Sequence, residues 1–192
     1  MEVAEASVIG IGGVARVGKD TLCKEIIKLL ALKGIESQRI AFADELKKDL
    51  HDFLLEKSNL SVYTDQDSEK KLIRPILVEY GKLMRSLTKG SYWINKLEPL
   101  IESNINNNIV SIISDVRYEN ETKWVNSVNG GVSIHLKRSG IVPANEEESK
   151  NDPLVFHNSK IKMEFPTLSD EKISHYIQSH LNKNETTKKT NR

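Results

Sequence analysis

Between Val8 and Thr21 the chain reads VIGIGGVARVGKDT. Gly13, four residues (Val14, Ala15, Arg16 and Val17), Gly18 and Lys19 stand at a spacing suited to the capture of an oligophosphate. The two glycines let the backbone turn tightly and bring successive N–H groups around phosphate oxygens, and Lys19 sets a positive charge against the outer phosphates. An apolar run before the glycines and a helical pattern after them complete a strand, a loop and a helix, whose first N–H groups and dipole favour an anion. Asp20 stands where a Ser or Thr hydroxyl usually reaches magnesium, and Thr21 follows one residue later. Two readings stay open: Asp20 meets the magnesium shell through water, or it braces the helix while Thr21 contacts phosphate.

A second group lies in IISDVRYENE, Ile112 to Glu121. Asp115 falls at the C-terminal end of a candidate parallel strand, the edge at which open α/β sheets bind ligands, and an acid there can orient magnesium or its water shell. Arg117, two residues on, has the paired donors to hold a phosphate, with a structural ion pair as the competing role. Phosphoryl transfer to an acceptor that already presents oxygen requires in-line positioning and several positive groups. Lys19, Arg74, Arg85, Arg117 and Arg138 are the candidates.

The whole chain narrows the setting. Its 192 residues suit one α/β domain with a sizeable core. A formal charge of +1 gives no overall field that would draw the protein to nucleic acid or to an acidic membrane. The single cysteine, Cys23, excludes an intramolecular disulfide and a cysteine-based zinc cluster, and its spacing with Leu22 and Ile26 marks a buried thiol. No apolar run approaches membrane-spanning length, and Met1 to Ala6 lacks a basic n-region, so a cytoplasmic protein is expected.

The elements that must position these groups follow from periodicity. Ser7 to Gly12 reads as a buried parallel strand, and Leu22, Ile26, Leu29, Leu30 and Leu32 mark a helix that stops at Gly34. A second strand is expected over Ser37 to Ala43 and a helix over Ala43 to Lys57, with Leu46, Leu50, Phe53 and Leu54 on one side. Ser58 to Gln66 reads as a surface loop carrying Tyr63, with cover for a ligand as the competing role of that ring. From Asp67 to Leu87 an apolar face of Leu72, Ile76, Leu77, Tyr80, Leu83, Met84 and Leu87 predicts helix, broken and restarted near Arg74 or Pro75. Tyr92 to about Glu102 is helical, with Pro99 against its last turn. Ile109 to Ser114 is a strand, Tyr118 to Asn129 its crossover helix, and Val132 to Leu136 another strand. Lys137 to Pro153, with its acidic run Glu146 to Glu148, reads as an exposed loop or short lid. Ile161 to Phe165 is preferred to Leu154 to Phe156 as the last strand, before a closing helix over Leu168 to Leu181 and a flexible tail over 183–192. A small, doubly covered parallel sheet is the result.

The sequence resembles the deoxynucleoside monophosphate kinases of tailed bacteriophages, within the nucleoside monophosphate kinase group of phosphate-loop folds. The resemblance rests on GVARVGKDT at Gly13 to Thr21, FADELK at Phe42 to Lys47, the arginine-led helix through Tyr80-Gly81 and Arg85 to Tyr92-Trp93, and SDVRYENE at Ser114 to Glu121. It implies a three-layer phosphate-loop domain over 1–182, with a helical substrate-binding insert at about 44–107 and a lid at about 138–153. The implied reaction is transfer of the ATP γ-phosphoryl group to a 5′-deoxynucleoside monophosphate, with magnesium. On that likeness Gly13, Val14, Ala15, Arg16, Val17, Gly18, Lys19, Asp20 and Thr21 hold ATP, and Asp20, Thr21 and Asp115 meet the metal directly or through water. Asp44, Lys47, Arg74, Arg85, Tyr92, Trp93 and Arg117 would surround the acceptor, with a place in the core as the competing role of Tyr92 and Trp93. Lys19, Arg85, Arg117 and Asp115 would act on the transferring group, and Arg138 would lie on the adenine or lid side. A host-cytoplasm setting and a homodimer fit the same picture. Two other readings stand beside it: a kinase for another phosphorylated metabolite, such as a coenzyme precursor, and a nucleotide-dependent switch, although no guanine-reading Asn-Lys-x-Asp stretch is present.

Overall fold

The computed structural model describes residues 5–165. The expected closing helix over Leu168 to Leu181 and the tail beyond it lie outside the described residues. Contacts divide the chain into two compact units, one of Met1–Ile40 with Ile101–Arg192 and one of Ala41–Leu100.

The first unit is built on five parallel strands: β1 (Val8–Gly12), β2 (Ser37–Ile40), β3 (Val110–Val116), β4 (Gly131–Arg138) and β5 (Ile161–Phe165), in the order β2-β3-β1-β4-β5. β1, at the centre, is buried along its whole length, as its unbroken apolar and glycine sequence requires of a strand covered on both faces. The two-residue alternation of a strand assigns those faces. Ile9 and Ile11 join Leu22, Cys23, Ile26 and Leu30 of helix α1 (Lys19–Leu32) in the main core. Gly10 and Gly12 point the other way. A Cβ on Gly10 would meet Val125 of α5 (Glu119–Ser127), and one on Gly12 would come within 2.7 Å of Val155 of α6 (Glu146–Asn158). Helix on one face, sheet, and two helices on the other make the three-layer α/β architecture of the phosphate-loop folds. Leu32 differs from the expected apolar stripe: it is 89% exposed, because α1 ends there and turns through Lys33 and Gly34.

The second unit holds α2 (Phe42–Ser58), α3 (Asp67–Leu87) and most of α4 (Tyr92–Asn106), so the expected second strand ends at Ile40 and Phe42 opens a helix. α3 runs unbroken through Pro75, and α4 through Pro99. Both prolines are exposed on the helix surface, where water can satisfy the carbonyl one turn back that loses its N–H partner. The packed face of α3 is rotated from the expected one. Ile73 is 2% exposed and Gly81 is buried, whereas Leu72, Leu83 and Leu87 are 64%, 52% and 69% exposed. Gly81 explains the rotation: a Cβ there would stand 2.8 Å from Leu46, so the missing side chain lets α2 approach this row. Phe53, expected inward, is 57% exposed, while Leu54, Val62 and Ile73 form the small core.

Polar contacts fix the same unit. Asp49 on α2 accepts from Lys96 Nζ at 2.7 Å, from the Tyr92 hydroxyl at 2.8 Å and from the Tyr80 hydroxyl at 3.3 Å. Burial alone would raise the Asp49 pKa, but the bonds from Lys96 and Tyr92 outweigh it and the net shift is downward. The Tyr80 phenol is pushed up to about 12, by burial first and then by its neighbours Tyr92 and Asp49. A carboxylate with a lowered pKa contributes stability above its unfolded value and loses it as pH falls through the folded one. Asp49→Asn should therefore cost about 1–2 kcal/mol at pH 7, discounting the half-screened lysine pair. In urea titrations that cost should shrink as the pH is lowered below about 4.

Candidate functional site

The site forms where β1 leaves the sheet. Gly13 has φ 127° and a Cβ there would stand 2.5 Å from the Leu136 carbonyl oxygen, so only glycine fits this turn on two counts. Arg16 at φ 63° and Gly18 at φ 111° continue the bend in left-handed conformations. Gly18 caps α1 and, as glycine, offers no side chain to the first-turn N–H groups of that helix. Lys19 folds back across the bend, and its Nζ donates to the Gly13 and Val14 carbonyls at 2.8 Å each. That arrangement holds the ammonium on the inner side of the loop. Burial lowers the Lys19 pKa, and the Arg117 guanidinium lowers it further, while Glu148, Asp20 and Asp115 pull the other way.

Those neighbours show which expected residues gather here. Asp115 is in β3, within the strand rather than just after it, and Arg117 follows at the same sheet edge. The Arg117 and Tyr118 backbone N–H groups both donate to buried Glu121, at 2.9 and 3.1 Å, which fixes the turn into α5 and the placement of Arg117. A cavity of about 20 Å³, lined by Gly13, Val14, Val116, Arg117, Glu148 and Asp152 with Val155, lies against the loop. It has room for about one water molecule. Arg138 is the last residue of β4.

The expected loop over Lys137 to Pro153 is the largest correction. Glu146 to Glu148 are not loop but the first turn of α6, capped by the Asn145 side chain, which accepts from the Glu148 N–H at 2.9 Å. Three acids at a helix N-terminus suit its dipole. Leu154 to Phe156 lie in the same helix, and Ile161 to Phe165 form β5 as preferred. α6 brings two residues to the loop that the sequence reading missed. Glu148 Oε2 accepts from the Ala15 N–H at 3.3 Å and from the Ala144 N–H at 2.9 Å. Asp152 Oδ1 lies 2.8 Å from Nε2 of His135, a side chain 1% exposed on β4. One signal pointed to them: Asn145 three residues before Glu148 has the spacing of a capping box.

Of the acceptor candidates, Lys47 and Arg74 line a second cavity, of about 470 Å³, inside the helical unit, with Tyr63, Asp65 and Lys70 around it. Tyr63, expected in a surface loop, is exposed and has Lys47 Nζ 6.0 Å from its ring centre and the His51 ring centre at 4.9 Å. Asp44 is in the first turn of α2 and Arg85 in the last turn of α3, and neither lines that cavity. Trp93 is 3% exposed, with its indole N–H 3.4 Å from the Gly81 carbonyl oxygen, and Tyr92 is bound to Asp49. Trp93 thus packs in the interior of the helical unit, while Tyr92 stays half-buried.

The parallel sheet, the glycine bend at the end of its central strand and the lysine at the head of the next helix decide the fold. It is a phosphate-loop NTPase fold. No family model matches the chain, and no curated protein matches it. Among solved structures, it is similar to a dephospho-CoA kinase from Campylobacter jejuni, with a TM-score of 0.44 and 14% identity over 95% of this chain and 99% of that one. It is also similar to a shikimate kinase from Acinetobacter baumannii in complex with shikimate, with a TM-score of 0.46 and 12% identity over 93% and 94% of the two chains. No helix among the described residues is long and apolar enough to cross a membrane.

The donors of the loop fit a polyphosphate. Among the described residues no three His, Cys, Asp or Glu side chains gather as a metal cage. Magnesium bound here would draw on Asp20, Thr21 or Asp115 together with phosphate oxygens and water. The lowered Lys19 pKa sets a pH dependence. An anion favours the charged ammonium, so affinity for inorganic tripolyphosphate should fall as pH rises in the alkaline range, at a lower pH than the lysine value of 10.5 would give. Calorimetric titrations between pH 7 and 10 measure this.

Proposed function

We propose that the protein is an ATP-dependent kinase that transfers the γ-phosphoryl group to a 5′-deoxynucleoside monophosphate. The observation that carries the transfer half is the convergence on one loop of Lys19, Arg117 and Asp115, with the amides of the bend beside them. This is the equipment phosphoryl transfer needs: fixed donors and positive charge where charge builds up, with no protein nucleophile. The Lys47 and Arg74 cavity supports the acceptor half. It combines cations for a phosphate with the Tyr63 ring for a planar base.

In this reading the loop amides and Lys19 hold the donor phosphates, and Arg117 supplies paired donors to the group in flight. Asp115 orients water or metal at the sheet edge. Magnesium, when bound, neutralises charge on the donor's phosphate chain. The acceptor's phosphate brings its own attacking oxygen and its own charge to Lys47, Lys70 and Arg74. The sequence resemblance to phage deoxynucleotide kinases selects the acceptor class, and a cytosolic setting follows from the same reading.

Product analysis with ATP, magnesium and a panel of deoxynucleoside and ribonucleoside monophosphates tests this. A diphosphate should form with at least one deoxynucleotide, and Lys19→Ala should lower kcat/KM by about 10²–10³-fold with an unchanged melting profile. Turnover only with some other phosphorylated metabolite would reject the acceptor class. ATP binding with no acceptor-dependent turnover would reject the kinase.

A further inference from the structure

One amide of the phosphate loop already has an anionic partner from this chain. Glu148 Oε2 accepts from Ala15 N–H at 3.3 Å, inside the bend between Gly13 and Gly18. The same oxygen accepts from Ala144 N–H at 2.9 Å, while the Glu148 N–H donates to the Asn145 side chain at 2.9 Å. Glu148 is thus shared between the start of α6 and the phosphate loop. Further along α6, Asp152 meets buried His135, and Val155 packs where a Cβ on Gly12 would sit. The helix therefore holds a carboxylate against the loop on a rigid base rather than on a free side chain.

A carboxylate and a phosphate ask the same thing of this loop. Both are anions with oxygen acceptors, and both gain from Lys19 and Arg117, which share the local field with Glu148. They cannot share the Ala15 amide without placing like charges in contact. We propose that Glu148 is a built-in competitor of the donor: it occupies the Ala15 amide, and donor phosphates must displace it, releasing the first turn of α6. Glu148 thereby sets the concentration at which the loop accepts a polyphosphate, and it couples that event to α6. The inference rests on the phosphate-site reading of the loop given above.

The test measures binding rather than turnover, with inorganic tripolyphosphate and with ATP as probes, on the full chain. Glu148→Ala should tighten both by about tenfold, the scale of one charge-assisted hydrogen bond that no longer has to be broken. Glu148→Gln, which keeps an acceptor oxygen for Ala15 and Ala144 but removes the charge, should show a smaller gain and reports whether loss of the α6 cap distorts the alanine result. In the wild type, ATP should raise hydrogen exchange at the backbone amides of Ala144 to Ser149, and in Glu148→Ala it should raise it no further. Weaker binding by both variants would overturn the proposal, since Glu148 would then be supporting the donor. Unchanged affinity would overturn it as well. If Lys19→Ala abolishes binding while the Glu148 variants bind more weakly, the phosphate site stands and only the competitor fails. If neither probe binds the wild type or any variant, the phosphate-site reading fails with it.

Discussion

The constraint on which this structure depends is the turn by which β1 becomes α1. β1 is the middle strand, buried on both faces, so the chain leaving it must pass over the edge of the sheet beside β4. At Gly13 it passes so close to the Leu136 carbonyl that no side chain fits, in a conformation that other residues rarely adopt. That close passage starts the bend. Arg16 and Gly18 are also left-handed, and Lys19 is fastened across the bend by two carbonyls. Strain of this kind persists where packing over-determines it, and here the sheet, α1 and α6 all press on the same few residues.

The parallel sheet makes the rest of the site follow. Because β3 and β4 run beside β1 in the same direction, their C-terminal ends arrive at the same edge as the bend. Asp115, Arg117 and Arg138 are carried there by strand register, not by local preference. Glu121 secures the exit from β3 by accepting two backbone N–H groups, and His135 anchors α6 through Asp152. These buried polar contacts fix the positions of Arg117 and of α6 at that edge.

The loop was legible in the sequence because everything that defines it is local: two glycines, a lysine and an apolar strand within a dozen or so residues. β1, β3 and β4 were legible for a similar reason, as short apolar runs between polar turns, and β5 by its alternation. The end of β2 was overrun because Ala41 and Phe42 continue an apolar pattern into α2. α6 was not legible, because Val155 is its one buried residue. A helix held mainly by polar contacts to its neighbours leaves no apolar stripe to read, and its three acids look like a solvated loop. The packed face of α3 failed differently. Its apolar residues cover a wide arc, and the choice of which part packs was made by Gly81 meeting Leu46 on another helix, a tertiary fact that periodicity does not contain. The partners of Tyr92 and Trp93 are tertiary in the same way: the Asp49 carboxylate and the Gly81 carbonyl engage their polar atoms inside the helical unit.

In the proposed function, backbone amides from Ala15 to Thr21 would bind the donor's phosphates. Amide chemical-shift mapping of the isotope-labelled protein during titration with ATP tests it most directly. The account predicts that the largest changes fall on Ala15 to Thr21, with a secondary group at the start of α6, and that inorganic tripolyphosphate reproduces the first set. Saturable shifts centred elsewhere, with those amides unmoved, would contradict it.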